Sequence, residues 1–527
     1  MRTHYGPDHP RTLTDLLAWP DRDPAAPVVT DATGTLDRRA FQRRVLRAAA
    51  GLRKAGVGAG ARVALWLPNS AGYLAAIFAC ARLGALAVHI NTRFRAAEVG
   101  SLLHRSRAVS MVMDLDFAPV DFPAILASLP IEDRAHLRSV LALSAPVGVT
   151  SVAGLPVLPF EGLETEAGPD AATPEAPCRT FTTSGTTRGP KLVLHDQQAI
   201  AGHGVDVARR IGLEARDAVL LGAVPFCGTF GNAAAMAAIA GGAHIVCLAQ
   251  FDAVRAAALI REHLVTHLVG GDDMFGRIAA ASRGRAFGSV RFSGFAAFHS
   301  TAASSIAAAE AAGLRPHGLY GSSEVQALFS IAEADTRLLG GGVPVSGRAR
   351  IAVRDPETGA ALTEGMPGEL WIDAPSRFVG YLENPAATER AIGTDGMFRT
   401  GDLGRLDGAG VIYEARLGDA MRLGGYLVSP GEIEAVIQAL PGVAAIQVVA
   451  AARSGDPVPV AFVQLHEGAT VEEGALRAQC SERLARFKVP ERIVIVDQFP
   501  VADSPNGPKV QRVKLREMAE SLLGERS

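Results

Sequence analysis

The chain reads as an α/β protein: a large N-terminal domain of βαβ-type sheets and helices, followed by a small α+β domain at the C-terminus. Short apolar strand patterns alternate with helical patterns through the first hundred or so residues. The same alternation returns between Ala218 and Tyr320. The texture then changes near Arg416, which sets domains of 1–415 and 416–527, the second with 112 residues.

The elements follow in order. Arg62–Leu67 (RVALWL) reads as a buried strand and Asn69–Leu83 as a helix, with Leu74, Ile77, Phe78 and Ala81 at helical spacing. Leu86–Ile90 is strand-like, Ala96–Arg105 helical and Val109–Met113 strand-like, a βαβαβ run that implies a parallel sheet covered by helices. Glu161–Pro177 is loop-like. From Ala218 to Phe251 there is no charged side chain, yet Pro225, Asn232 and several glycines break the stretch into strand-like and helix-like pieces. A spanning helix needs about 20 continuous apolar residues, so this stretch reads as core beside an apolar pocket, with no transmembrane segment. Ser429-Pro-Gly-Glu432 is a capping box with Pro at the first helical position, opening EIEAVIQAL. Ala444–Ala450 and Val458–Gln464 are strand-like, Thr470-Val-Glu-Glu473 opens another helix, and Arg492–Val496 is the last strand.

Composition narrows the function classes. Of 527 residues, 48% are hydrophobic and 20% charged, which excludes disorder as the main state. Lys plus Arg is 52 and Asp plus Glu 54, so no global positive field holds a nucleic acid. The five scattered cysteines contain no C-x-x-C, which argues against disulfides and a cysteine zinc site and fits a reducing compartment. The first residues lack the apolar core of a signal peptide, and a cytoplasmic location is expected. HLVTH (263–267) is not H-E-x-x-H. GVGAG (56–60) precedes a strand rather than following one, the wrong context for a dinucleotide fingerprint.

The strongest local signal is Thr180-Phe-Thr-Thr-Ser-Gly-Thr-Thr-Arg-Gly-Pro-Lys191. Hydroxyls, glycine N–H groups and a lysine together suit phosphate oxygens. The spacing differs from a Walker A loop, because three residues separate Gly185 from Gly189 and Leu192 follows the lysine.

TTSGTTRGPK resembles the phosphate-loop signature of the adenylate-forming superfamily, which comprises acyl-CoA synthetases, adenylation domains and luciferases. Further similar elements follow in that family's order: Tyr320-Gly-Ser-Ser-Glu324, Gly368-Glu-Leu-Trp371 with Gly380-Tyr381, Phe398-Arg-Thr-Gly-Asp402, Arg416-Leu-Gly-Asp419 with Gly425, Pro430-Gly-Glu-Ile-Glu434, Phe487-Lys-Val-Pro490 and Gly507-Pro-Lys509-Val-Gln-Arg512. The likeness spans almost the whole chain.

The resemblance implies ATP- and Mg²⁺-dependent activation of a carboxylic acid through an acyl-adenylate, then thioester formation with coenzyme A as co-substrate. Thr183, Ser184, Gly185, Thr186, Thr187 and Lys191 would hold the β- and γ-phosphates. Tyr320 would pack on adenine, Ser323 would contact the α-phosphate, and Glu324 would ligate Mg²⁺, a hard cation suited to a carboxylate. Asp402 would accept from the ribose hydroxyls, with Arg416 beside it, and Lys509 would bridge the substrate carboxylate and the α-phosphate. Matching segments give an acyl pocket of Thr229, Gly231, Asn232, Ala233, Met236, Gly294, Phe295 and Gly318. The small domain would be a mobile lid hinged near Gly418, where relatives commonly carry Asp or Lys. Cys227 stands where many relatives carry His and reads as a small lining residue rather than a nucleophile.

Taken singly, each residue has an ordinary reading: Tyr320 as a core aromatic, Asp402 as a turn former, Glu324 as a solvated acid, Lys509 as a surface lysine. Pro508 interrupts the usual Gly-Lys pair, leaving Lys514 as the alternative to Lys509. The mostly small, apolar lining suggests an aliphatic or aromatic acid, while Asp272 and Asp273 keep an amino-bearing acid open. A stand-alone adenylation enzyme serving a carrier protein or an amine uses the same residues, and a non-catalytic nucleotide-binding protein of the same fold is the rival of another class. The oligomeric state, a homodimer included, stays open.

Overall fold

The computed structural model describes residues 3–19, 23–183, 191–297, 302–332, 336–338, 340–423, 426–453, 456–502 and 509–524. Among these, two nine-stranded sheets dominate the larger part of the chain. In the first, Arg62–Trp66 lies between Leu86–His89 and Ser110–Met113, all parallel: Val63 pairs with Ala87 on one side and Ser110 on the other. The connecting helix spans Ala71–Arg82, and Ser70 caps it by accepting from the Tyr73 N–H at 3.1 Å. The strand Pro177–Thr182 lies parallel to Leu86–His89, with Ala87 beside Arg179, and Leu192–Asp196 folds back on it as an antiparallel hairpin.

The second sheet contains the parallel strands Val219–Gly222, His244–Cys247, His267–Gly271, Phe292–Ala296 and Pro316–Ser322, with Gln326–Ile331 antiparallel at one side. The charge-free stretch therefore resolves into a strand, the helix Thr229–Gly241 and another strand. No helix among the described residues is long and apolar enough to cross a membrane. The Thr229–Gly241 helix is buried on nearly every side, as its alanine-rich sequence requires. It shares the largest apolar cluster with the helices Ala71–Arg82 and Gln197–Ile211 and with inward residues of both sheets, among them Leu65, Ala87, Leu220 and Leu319.

A four-stranded antiparallel sheet follows: Arg350–Arg354, Gly368–Asp373, Phe398–Asp407 and Gly410–Arg416. Its strands were not assigned from the sequence, where glycines and charges obscure the alternation. The last part pairs Val443–Arg453, Asp456–Leu465 and Arg492–Ile495 with the helices Pro430–Gln438, Glu473–Arg483 and Arg512–Gly524. Its apolar clusters start at Met421, and no residue beyond Tyr413 belongs to the clusters of the preceding sheets.

The capping box forms as expected. The Ser429 Oγ accepts from the Gly431 N–H at 3.2 Å, and the Glu432 carboxylate accepts from the Ser429 N–H at 3.1 Å. Two expectations need correction. The helix expected to open at Thr470 starts at Glu473, because Val471 packs on the local core while the Glu473 carboxylate is tied to Arg492 and the Ile493 N–H. Arg492–Ile495 is also not the last strand: Val501–Ala502 and Lys509–Val510 form a short antiparallel pair beyond it. A two-residue ladder leaves no periodicity to read.

Candidate active site

The hairpin of Pro177–Thr182 and Leu192–Asp196 holds the ends of the Ser/Thr/Gly loop together, with the Thr183 N–H donating to the Lys191 carbonyl at 3.0 Å. Ser184, Gly185, Thr186 and Thr187 lie outside the described residues. The Lys191 Nζ sits 4.6 Å from the centre of the Tyr381 ring. The Tyr381 hydroxyl in turn donates to the Glu324 Oε1 at 2.9 Å. Thus Lys191, Tyr381 and Glu324 form a line joining loop, second sheet and first-sheet edge. Burial raises the Tyr381 phenol well above its usual range, which keeps it a donor.

Tyr320, Asp402 and Arg416 converge from three strands. The register pairs Asp402 with Arg416 across the last antiparallel hairpin. The Tyr320 hydroxyl donates to the Asp402 Oδ2 at 2.7 Å, and the Tyr320 and Tyr413 rings lie 5.7 Å apart at 31°. The Arg416 Nη1 is 2.9 Å from the other oxygen, Oδ1, but not along a hydrogen-bond direction, so Oδ1 is buried without a hydrogen-bonded donor. Burial pushes the Asp402 carboxyl above the ordinary carboxylate range, while Arg416 and the Tyr320 O–H pull it the other way. An acceptor oxygen without a hydrogen-bonded donor beside two tilted phenol rings suits a hydroxylated ring compound.

The turn after Tyr320 carries Ser323 and Glu324. The Thr229 Oγ1 donates to the Ser323 Oγ at 3.1 Å, which places the start of the Thr229–Gly241 helix against this turn. Beneath it, the Gln326 amide nitrogen lies 2.9 Å from the His195 Nδ1, so the imidazole proton sits on Nε2 and is donated to the Ser323 carbonyl at 2.7 Å. Gln326 has φ +72°, a left-handed backbone at a non-glycine residue next to the turn. His195 and Gln326 were missed from the sequence; a lone His in an apolar strand pattern was the only sign.

The acyl-pocket residues divide by face. Thr229, Asn232, Ala233 and Met236 follow i, i+3, i+4, i+7 along one side of their helix. Gly231 points elsewhere: a Cβ there would lie 2.4 Å from the Pro225 and Val224 carbonyls. Gly294 faces the inner cluster, where a Cβ would meet Leu319 at 2.7 Å. Phe295 lies on the opposite face, packed with Phe275 and Ile306. Gly318 is paired with Phe295 across the strands, and its missing side chain admits the Arg337 carbonyl. Leu319 rather than Gly318 therefore shares the inner face with Gly294. Cys227 is buried, and burial raises its thiol to about 12, so it stays protonated and is no nucleophile. Asp272 is buried in the first turn of the helix Asp272–Ala281, and Asp273 pairs with Arg277.

Gly418 occupies the turn after Gly410–Arg416, in open space and without left-handed backbone. Gly425 lies outside the described residues, as does Gly507. Lys509 begins the last short strand, paired with Ala502, and Lys514 is exposed on the final helix. His263 and His267 do not share a helix: His267 starts a strand and binds the Ile211 carbonyl and Thr266. Among the described residues no group of three or more His, Cys, Asp or Glu side chains converges as a metal cage.

A family model described as AMP-binding enzyme matches residues 16–382, and one described as AMP-binding enzyme C-terminal domain matches 432–504. A putative acyl-CoA synthetase, YngI, of Bacillus subtilis is 27% identical over 529 residues, covering 95% of this chain and 94% of the relative. A 2-succinylbenzoate–CoA ligase of Geobacillus kaustophilus is 31% identical over 458 residues, covering 85% and 86%. The crystal structure of ATP-bound MatB from Rhodopseudomonas palustris superposes with a TM-score of 0.80 at 25% identity, covering 97% of this chain and 99% of that one. The chain belongs to the AMP-binding enzyme family.

Proposed function

We propose that this member of the AMP-binding enzyme family uses ATP to activate a carboxylic acid as an acyl-adenylate and then transfers the acyl group to the thiol of coenzyme A, releasing AMP. The observation that carries the reading is the Tyr320–Asp402–Arg416 group, with its buried, undonated Asp402 Oδ1 beside a phenol pair. That arrangement fits the hydroxyls of a ribose, and Arg416 keeps the carboxylate charged when a donor arrives.

The chemistry needs charge control. A carboxylate and a triphosphate repel, so donors and cations must sit where negative charge develops. Thr183 and Lys191, with Ser184, Gly185, Thr186 and Thr187 between them, are the candidates for the β- and γ-phosphates. Ser323, held by His195 and Thr229, offers its hydroxyl to the α-phosphate. Glu324 offers one carboxylate oxygen to Mg²⁺, and Tyr381 anchors the other. A single carboxylate completed by phosphates and water is the donor set Mg²⁺ prefers. When bound, the ion neutralises phosphate charge. Lys509 joins the acid's carboxylate to the α-phosphate. Separate apolar cores before Tyr413 and after Met421 support a C-terminal lid that turns near Gly418 between the two half-reactions. The inner face of Thr229, Ala233, Met236, Gly294 and Leu319 receives the acyl chain. The five free, buried cysteines suit a reducing, cytoplasmic setting.

The test is acid-dependent pyrophosphate release from ATP across a carboxylic-acid panel, with and without coenzyme A. The expected result is release with at least one acid and a thioester only when coenzyme A is present. Release without any thioester would move the acceptor to a carrier protein or an amine.

A further inference from the structure

Arg179 lies in the middle of the strand Pro177–Thr182, fully buried, paired with Ala87 on one side and His195 on the other. A buried guanidinium is normally paired with a carboxylate. Here none of the described carboxylates forms an ion pair with it. Its Nη1 donates to the Asn232 Oδ1, its Nη2 lies 3.2 Å from the Met236 sulfur, and its Nε has no partner. Of the five N–H bonds of a guanidinium, two thus have an acceptor, one of them a weak thioether.

A second group nearby is in the same condition. The parallel register sets Ala87 beside Arg179, so His89, Ala87, Arg179 and Phe181 share one face. His89 stacks on Phe181 at 5.2 Å and meets the Tyr73 hydroxyl at 2.6 Å through Nδ1, while its Nε2 has no partner. Burial keeps the Tyr73 phenol protonated, and its hydroxyl occupies the Nδ1 side of the ring, leaving Nε2 unmatched. Burial and then Arg179 hold His89 neutral. Around Arg179 the N–H donors therefore outnumber the acceptors.

The location gives this imbalance a meaning. Asn232 and Met236, the two residues that meet Arg179, lie on the helix face that begins with Thr229, whose hydroxyl touches Ser323. From Thr229 the helix rises about 5 Å to Asn232 and about 10 Å to Met236. The two residues that hold the guanidinium thus lie about one and two helical turns from the contact with Ser323.

We propose that Arg179, oriented by Asn232 and helped by His89, is an anchor for a second carboxylate, so that the acid activated by this enzyme is a short dicarboxylic acid. The proposal rests on the acid-activation reading above and names its substrate class. One carboxylate would meet Ser323 and Lys509 and the other would supply the acceptors that Arg179 lacks.

The experiment compares succinate, glutarate and adipate with butyrate, pentanoate and hexanoate in acid-dependent pyrophosphate exchange into ATP. In the wild type, kcat/KM for the best dicarboxylate is expected to exceed that of its equal-length monocarboxylate by about tenfold to a hundredfold, the span of a charged hydrogen-bonded contact. Arg179→Met should lower that ratio at least about tenfold, and Asn232→Ala should lower it less, chiefly through KM for the dicarboxylate. Dicarboxylate alone should raise the melting temperature of the wild type and leave that of Arg179→Met unmoved. Wild-type preference for monocarboxylates would overturn the anchor whether or not either variant folds, as would an unchanged ratio in a folded Arg179→Met. Exchange with neither series but with another acid of the wider panel would overturn the anchor alone, and exchange with no acid of that panel would remove the acid-activation reading as well.

Discussion

At the Tyr320 end of the candidate site, polar side chains are held by protein partners: Tyr320 by Asp402, Asp402 by Arg416, Glu324 by Tyr381, Ser323 by His195 and Thr229. At the Arg179 end, donors outnumber acceptors, and both Arg179 and His89 keep a nitrogen without a partner. The first arrangement is preorganised: its geometry is set before any ligand binds, and only single acceptor positions such as Asp402 Oδ1 stay open. The second is incomplete until something negative enters. A nucleotide common to the family can be met by a finished site, whereas the variable partner of the reaction is where a chain can leave charge to be matched.

In the proposed reaction the two ends meet at the bond being made, and the largest effect is expected there. Lys509→Ala should lower acid-dependent pyrophosphate exchange by about 10³-fold, the loss typical of removing a charge-stabilising donor. Lys514→Ala should leave it close to wild type. A reversed pattern would transfer the bridging role to Lys514.

Next in size is the hinge. Gly418→Pro should slow thioester formation about tenfold more than adenylation, because proline fixes φ in the turn about which the proposed lid rotates. Single-turnover measurement of each half-reaction decides the matter. Equal slowing of both, in a folded protein, would count against rotation at this position.

Stability without ligand should separate the two ends. Asp402→Ala leaves the buried Tyr320 hydroxyl without its acceptor and should cost about 1–3 kcal/mol. Arg179→Met removes a charge that has no counter-charge and should cost less or stabilise. Thermal unfolding of both variants tests this. A large loss for Arg179→Met would show that the arginine is paired within the protein after all.

The smallest effect concerns pH. His89 and His203 are held neutral by burial, His89 well below the usual 6.5. An unfolded chain takes up more protons at these groups than the folded one, so stability falls as pH drops below 6.5, at a slope that approaches about 1.4 kcal/mol per unit for His89. His9 acts in the opposite sense, since its raised pKa favours the folded state on the acid side. His89→Gln should therefore soften the loss between pH 6.5 and 5.5 by about 1 kcal/mol. An unchanged pH profile would place a proton on His89 in the folded state.

Much of this organisation is legible in the sequence, for local reasons. The strands Arg62–Trp66 and Ser110–Met113 have apolar runs, and the Ser429 capping box carries its own partners within three residues. What stays hidden depends on contacts far apart in sequence. The link from Ser323 to His195 spans 128 positions, and that from Arg179 to Asn232 spans 53. Motif matching also treats neighbours alike, whereas a strand turns them to opposite faces. Gly294 and Phe295 were expected together in one pocket, and the sheet separates them. The Arg179 anchor could have been suspected from one sign only, a cation inside PCRTFT, a segment otherwise suited to a buried strand.

The most direct test of the central claim is to identify the products formed from ATP, Mg²⁺ and a short dicarboxylic acid before any thiol is added. The expected products are pyrophosphate and a mixed anhydride of the acid with AMP, seen by mass spectrometry and lost on adding coenzyme A as the thioester appears. Formation of ADP and inorganic phosphate, or no consumption of ATP with any acid of either series, would contradict it.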